Sequence, residues 1–175
     1  MNKLIFLLVL ITLFTACEST DRKELNTKKN YFDLQGFFDK EALRLASKKP
    51  FVNKTISVND SSESKSIRIS DWKKELSAFT DADINKSSWE GLFQISKSVG
   101  YEVYSSDDEK VPVKKVEVFK KNGAVKGLRI LVINTNTLYN SVDTLSYYPD
   151  SIYQIIKKQD IRFLNTKEYK ITGRF

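Results

Sequence analysis

The chain has 175 residues, a formal charge of +7, no histidine and a single cysteine, Cys17. With no histidine and one thiol it cannot build a Ser-His-Asp or Cys-His centre, a zinc site on His and Cys ligands, a histidine pH switch or an internal disulfide. The length suits one domain with a single core. The lysine-dominated charge suits solvation and anionic surfaces, and no arginine-rich or zinc-type motif points to a nucleic acid partner.

Met1-Asn2-Lys3 forms a short positive start, eleven apolar or near-apolar residues follow from Leu4 to Phe14, and Thr15-Ala16-Cys17 ends the run. This is the three-part layout of a secretory signal peptide. The run is too short for a membrane helix, which needs about 20 apolar residues, and charged residues from Glu18 to Glu24 follow it directly. Leu13-Phe14-Thr15-Ala16-Cys17 resembles the lipobox of bacterial lipoproteins, with Phe14 where leucine is usual. The resemblance implies that residues 1–16 are removed and that Cys17 carries a diacylglycerol and a further acyl chain. At about 0.8 kcal/mol per buried methylene, several such chains make a lasting membrane anchor. Glu18 in place of aspartate does not match the inner-membrane retention signal, so the resemblance favours the outer membrane of a bacterial envelope.

Residues 17–30 contain one large apolar residue, Leu25, and read as a lipidated cysteine on a flexible tether. Residues 31–175 are expected to form one domain. Leu34, Phe37, Phe38, Ala42, Leu45 and Ala46 recur at helical spacing and predict an amphipathic helix over 31–48, capped by Asn30 and stopped before Pro50. Alternation at Val52, Lys54, Ile56 and Val58 predicts a strand, residues 59–64 a polar turn, and Ile67 and Ile69 a returning strand. Trp72, Leu76 and Phe79 predict a second, short helix over 71–80, and residues 81–93 a loop.

Strands are expected at 96–105, 113–121, 125–134, 137–147, 152–158 and 168–174. Asn122-Gly123 is the strongest hairpin signal, because both residues accept the positive φ of a type I′ turn. Gly127 suggests a bulge. Together these predict an α+β fold in which an antiparallel meander packs against the N-terminal amphipathic helix and the short second helix, with Phe37, Phe38, Leu45 and Trp72 on one sheet face.

Three constellations carry candidate chemistry. Asp81, Asp83 and Asn85 open like a calcium loop, but Lys86 replaces the turn glycine and Leu92 the bidentate glutamate. Asp107-Asp108-Glu109 groups carboxylates in a polar stretch that reads as a connecting loop. Tyr139, Tyr147, Tyr148, Tyr153 and Phe163, near Lys157, Lys158 and Arg162, form the candidate ligand surface for a sugar, a peptide or an acyl chain, since tyrosine offers a stacking face with a polar tip. The terminal Tyr169 to Phe175 stretch resembles the last strand of an outer-membrane barrel, yet the lysine-rich strands do not suit a lipid-facing wall.

No motif calls for a metal or cofactor, and no catalytic residue is assigned. The expected function is a non-catalytic, membrane-anchored envelope module binding a protein or glycan partner. The alternatives are a carrier of lipid or other apolar ligands in a cavity under the front helix and, behind it, a carboxylate-based hydrolase.

Overall fold

A computed structural model describes residues 29–175. The expected leader, Cys17 and the tether up to residue 28 lie outside the described residues. A single nine-stranded antiparallel sheet dominates, in the spatial order β2-β1-β9-β8-β7-β6-β5-β4-β3. Its strands are β1 (Phe51–Val58), β2 (Ser61–Arg68), β3 (Gln94–Ser98), β4 (Tyr101–Ser105), β5 (Val113–Lys121), β6 (Ala124–Thr135), β7 (Tyr139–Tyr148), β8 (Ile152–Ile161) and β9 (Lys167–Arg174). Strands β3 to β9 are a meander, and the β1–β2 hairpin joins it by pairing β1 with β9, Ile56 opposite Ile171.

This corrects the expected helix-packed α+β domain. Among the described residues the helical part is α1 (Leu34–Lys48), two fragments, α2 (Trp72–Glu75) and α3 (Ser77–Asp81), and a 3-10 turn at Ser87–Trp89. The stretch read as one second helix breaks at Leu76, so it cannot act as a layer. The strands grow in its place. Ser61–Ser66, read mostly as turn, is strand in β2, because an edge strand with both faces in solvent pairs through its backbone and needs no apolar row. The turn shrinks to Asn59-Asp60, with Asn59 at φ 51°. Residues 94–105 likewise fold as two short strands around Gly100, at φ 75°.

α1 starts three residues later than expected. Asp33, not Asn30, caps it by accepting from the Gly36 amide at 2.7 Å. A Cβ on residue 36 would lie within 3.0 Å of the Asp33 carboxylate, so this glycine makes room for the cap. Tyr31 is held against the loop before β3, donating its amide to Asn85 Oδ1 and accepting from the Gly91 amide at its hydroxyl.

Leu34, Phe38, Ala42 and Leu45 bury one stripe of α1. The sheet meets it with Val116, Val118, Leu128, Ile130, Tyr147 and Tyr153. Phe38 stacks on Phe79 at 4.7 Å between ring centroids and meets Tyr147 edge-on at 5.1 Å. Phe175 stacks on Trp72 at 5.8 Å. Burial at about 25 cal/mol per Å² makes this aromatic layer the main tie between helix and sheet.

The Asn122-Gly123 hairpin forms as read, with positive φ at both residues. Phe119 faces Gly127 while Lys120 faces Val125, so the bulge sits at Lys126, beside the glycine. No helix among the described residues is long and apolar enough to cross a membrane.

Candidate functional site

A strand turns successive side chains to opposite faces. Tyr147 and Tyr148 therefore part company, as do Lys157 and Lys158. Tyr147 and Tyr153 oppose each other on β7 and β8 and are fully buried beneath the helices. Tyr148 lies on the other face, beside Gly127, and accepts from Arg129 Nε at 2.9 Å. Lys158 pairs with Glu168 at 3.2 Å. Lys157 faces the helices beside Asp143. Tyr139 and Arg162 sit at the far ends of their strands and are exposed. The expected aromatic and lysine surface is thus not one surface: it divides between core, two faces and one sheet end.

The buried tyrosines serve the core. Tyr147 donates to Glu41 at 2.5 Å, and Glu41 is held by Arg44 Nε and Nη2 at 2.9 and 2.8 Å. Tyr153 donates to Glu75 at 2.6 Å, and Glu75 pairs with Lys54 at 2.7 Å. The pattern recurs near the other edge, where Tyr104 donates to Glu102 and Lys120 holds the same carboxylate. Burial and the neighbouring carboxylates push all three phenols well above the ordinary tyrosine range. They remain protonated donors and not bases.

The calcium-like loop has a structural job as well. Asn85 Nδ2 donates to the Phe32 carbonyl, and Asp83 Oδ1 accepts from the Asn85 amide. Asp108 turns back to accept from the Lys110 amide at 2.8 Å.

Besides a polar recess beside Tyr31 and Asn85, the helix-bearing face has hollows where the long strands run out from under α1. A recess of roughly 390 Å³ is floored by Val113, Val132, Leu145 and Ile155, roofed by Ala78, Ala82 and Trp89, and edged by Asp81, Lys86, Asn134, Asp143 and Lys157. A second recess of roughly 520 Å³ shares Ala78 and Ile155 with it and continues across Ile171 and Ile67 to Lys54, Arg68, Lys74 and Glu75. Together they make one groove crossing the strands beneath α2 and α3. Lys86 lies over Trp89 at 4.3 Å, Arg68 turns to the other face of the sheet over Phe51, and among the described residues Lys74 and Lys86 have no carboxylate partner, just as Asp71 and Asp81 have no cation.

Asp143 is the unusual side chain of the groove. Its Oδ2 stands 3.5 Å from Lys157 Nζ, whereas its buried Oδ1 has no hydrogen-bond partner among the described residues, and neither has the buried Ser141 Oγ two positions away on the same face. An unmet buried acceptor costs about 1–3 kcal/mol. Trp89, Lys86 and Asp143 escaped the sequence reading because 54 positions separate Trp89 from Asp143 and only the sheet register brings them together; the alternation on β7, which sets Asp143 level with Leu145, was the one available signal.

No protein-family model, no curated protein and no solved structure matches this chain.

Proposed function

We propose that the protein is a non-catalytic binding module of the bacterial cell envelope. It is anchored through Cys17, by preference in the outer membrane, and takes an extended segment of a partner protein into the groove under α2 and α3. The observation that carries this reading is the groove itself: an apolar floor crossing several strands, a rim with charges of both signs and one unmet acceptor, Asp143 Oδ1.

The chemistry favours a peptide with apolar side chains over a glycan. Sugars want an open aromatic face, and the Trp89 ring is buried and lies under Lys86 at 4.3 Å. Among the described residues the space between α1 and the sheet is filled by Phe38, Phe79, Trp72, Tyr147 and Tyr153, which leaves an apolar carrier no enclosed chamber there.

The test is site-specific photocrosslinking in the full lipoprotein in its own membrane, with the photoreactive residue at Ala78 in the groove or at Leu43, which is exposed on α1. A discrete protein adduct from position 78, absent from position 43 and lost in the Ile155→Glu variant, is the expected result. Equal labelling from both positions, or an adduct of lipid mass, would overturn the reading. Cys17→Ser is expected to release the protein from the membrane fraction without changing groove labelling by added partner.

A further inference from the structure

Three large apolar side chains stand in solvent at one end of the sheet. Phe163 is 91% exposed, Leu138 70% and Leu164 61%. They belong to two adjoining turns, β6–β7 and β8–β9, tied together by the Arg162 amide donating to the Leu138 carbonyl at 3.0 Å. Both turns are internally braced. Asn136 Oδ1 accepts from the amides of Leu138 and Tyr139, and the Leu164 amide donates to the Ile161 carbonyl.

Phe163 adopts φ 68°, a left-handed backbone that costs a bulky residue energy and suits glycine. An aromatic side chain that strains its own backbone and packs almost nowhere within the fold is explained by a contact outside it.

The charge around these side chains points to the kind of contact. Residues 135–140 and 161–167 include Arg162 and Lys167 and no carboxylate. Arg162 lies against the Phe163 ring at 5.2 Å. Asp160 and Glu168 stand one position behind, Glu168 is engaged by Lys158, and the other carboxylates at this end, Asp60 and the Asp107-Asp108-Glu109 run, belong to the β1–β2 and β4–β5 connections. Apolar side chains in front with cations just behind match the order of a bilayer surface, where acyl chains lie inside an anionic headgroup layer.

Size argues the same way. A stable protein interface takes about 800 Å² from each partner, more than a protruding tip of three side chains offers, whereas a bilayer admits such side chains one at a time. We infer that these two turns form a membrane-contacting tip that inserts Phe163, Leu138 and Leu164 into an anionic phospholipid surface. The inference is independent of the groove and of what it binds.

The test places a tryptophan at the tip by Phe163→Trp in the full chain, bound to vesicles of phosphatidylglycerol with brominated acyl chains. Trp72 and Trp89 are buried and give a constant background. Val99→Trp, equally exposed but in the β3–β4 turn at the opposite end of the strands, is the control for chain brought to the vesicle by its N-terminus.

Severalfold stronger quenching at 163 than at 99, reduced in brominated phosphatidylcholine and by Arg162→Glu with Lys167→Glu, is expected. No quenching at 163, or equal quenching at both positions, would overturn the inference. Phe163→Gly provides a variant that relieves the left-handed backbone: it should hold or raise Tm while weakening the quenching of Leu138→Trp. Unchanged quenching there would count against Phe163 as the leading contact.

Discussion

Gly173→Ala sets two physical effects against each other. In a strand interior, alanine is favoured over glycine by roughly 0.5–1 kcal/mol through backbone entropy, and Gly173 has no positive φ to forbid it. The packing opposes this. Gly173 faces Tyr153 across β8–β9, and a Cβ there would fall closer than 3.0 Å to three atoms of the Tyr153 ring and hydroxyl. That ring is fully buried, packs edge-on against Trp72 at 6.3 Å and near Phe175 at 6.1 Å, and its hydroxyl is fixed by Glu75.

Overfilling such a site costs about 1–3 kcal/mol. Displacing the hydroxyl from an ionised carboxylate adds roughly 1.5–3 kcal/mol where the bond is lost. After the entropic gain, the expected net loss is about 1.5–5.5 kcal/mol. Urea denaturation at constant m-value measures it, and Trp72 emission reports whether the ring has moved. In a Tyr153→Leu background the same glycine substitution should become nearly neutral or slightly stabilising, a coupling visible in a double-mutant cycle. Unchanged or raised stability in the single variant would refute the argument.

Tyr147→Phe keeps the ring in place and removes one donor to Glu41, which retains both bonds from Arg44; a loss of about 1–2 kcal/mol in urea denaturation is expected, and a neutral result would mean that the phenol contributes no net energy. Acid should destabilise the fold. Burial alone would raise Glu102 and Glu117, but Lys120 with Tyr104, and Tyr101 with Lys115, outweigh it and hold both below the usual 4.5, while Lys48 and Arg44 lower Asp150 below 3.8. A carboxylate with a depressed folded pKa contributes stability above its unfolded pKa and loses it as pH falls through the folded value, so the urea midpoint should hold down to about pH 4.5 and drop below it. A midpoint that rises on acidification would reverse the assigned sign.

The front of the domain was legible because its signals are local. Leu34, Phe38, Ala42 and Leu45 mark α1 by period alone, and Asn122-Gly123 marks its hairpin by backbone chemistry. β2 was not, because a strand at a sheet edge needs no alternation, and Ser61 to Ser66 carry none. The β1–β9 pairing that brings the hairpin into the sheet joins residues more than a hundred positions apart and leaves no local trace. The division of the candidate ligand residues between two faces was legible in part. Tyr147 with Tyr148, and Lys157 with Lys158, are adjacent on strands and must face opposite ways. That Tyr147 and Tyr153 would be the buried pair depended on where α1 settles, which no single strand discloses.

The placement of the cover accounts for both proposed surfaces. α1 crosses the strands, from Phe32 beside Lys120 of β5 to Arg44 and Lys48 at the β7–β8 turn, whereas a strand of 10 to 12 residues, such as β6, β7 or β8, runs about 33–40 Å. One end of the sheet is clasped: Arg44 and Lys48 of α1 both hold Asp150 in the β7–β8 turn, and Phe175 closes over Trp72. The strands then run out from under α1, first as the groove floor of Val132, Leu145 and Ile155 beneath α3, and then as the two turns bearing Leu138 and Phe163. Substitutions at the clasped end should therefore act on stability, and those at the other end on binding. A variant at Asp150 that altered groove crosslinking without altering the urea midpoint would show that the two ends are coupled through the strands instead of divided by the cover.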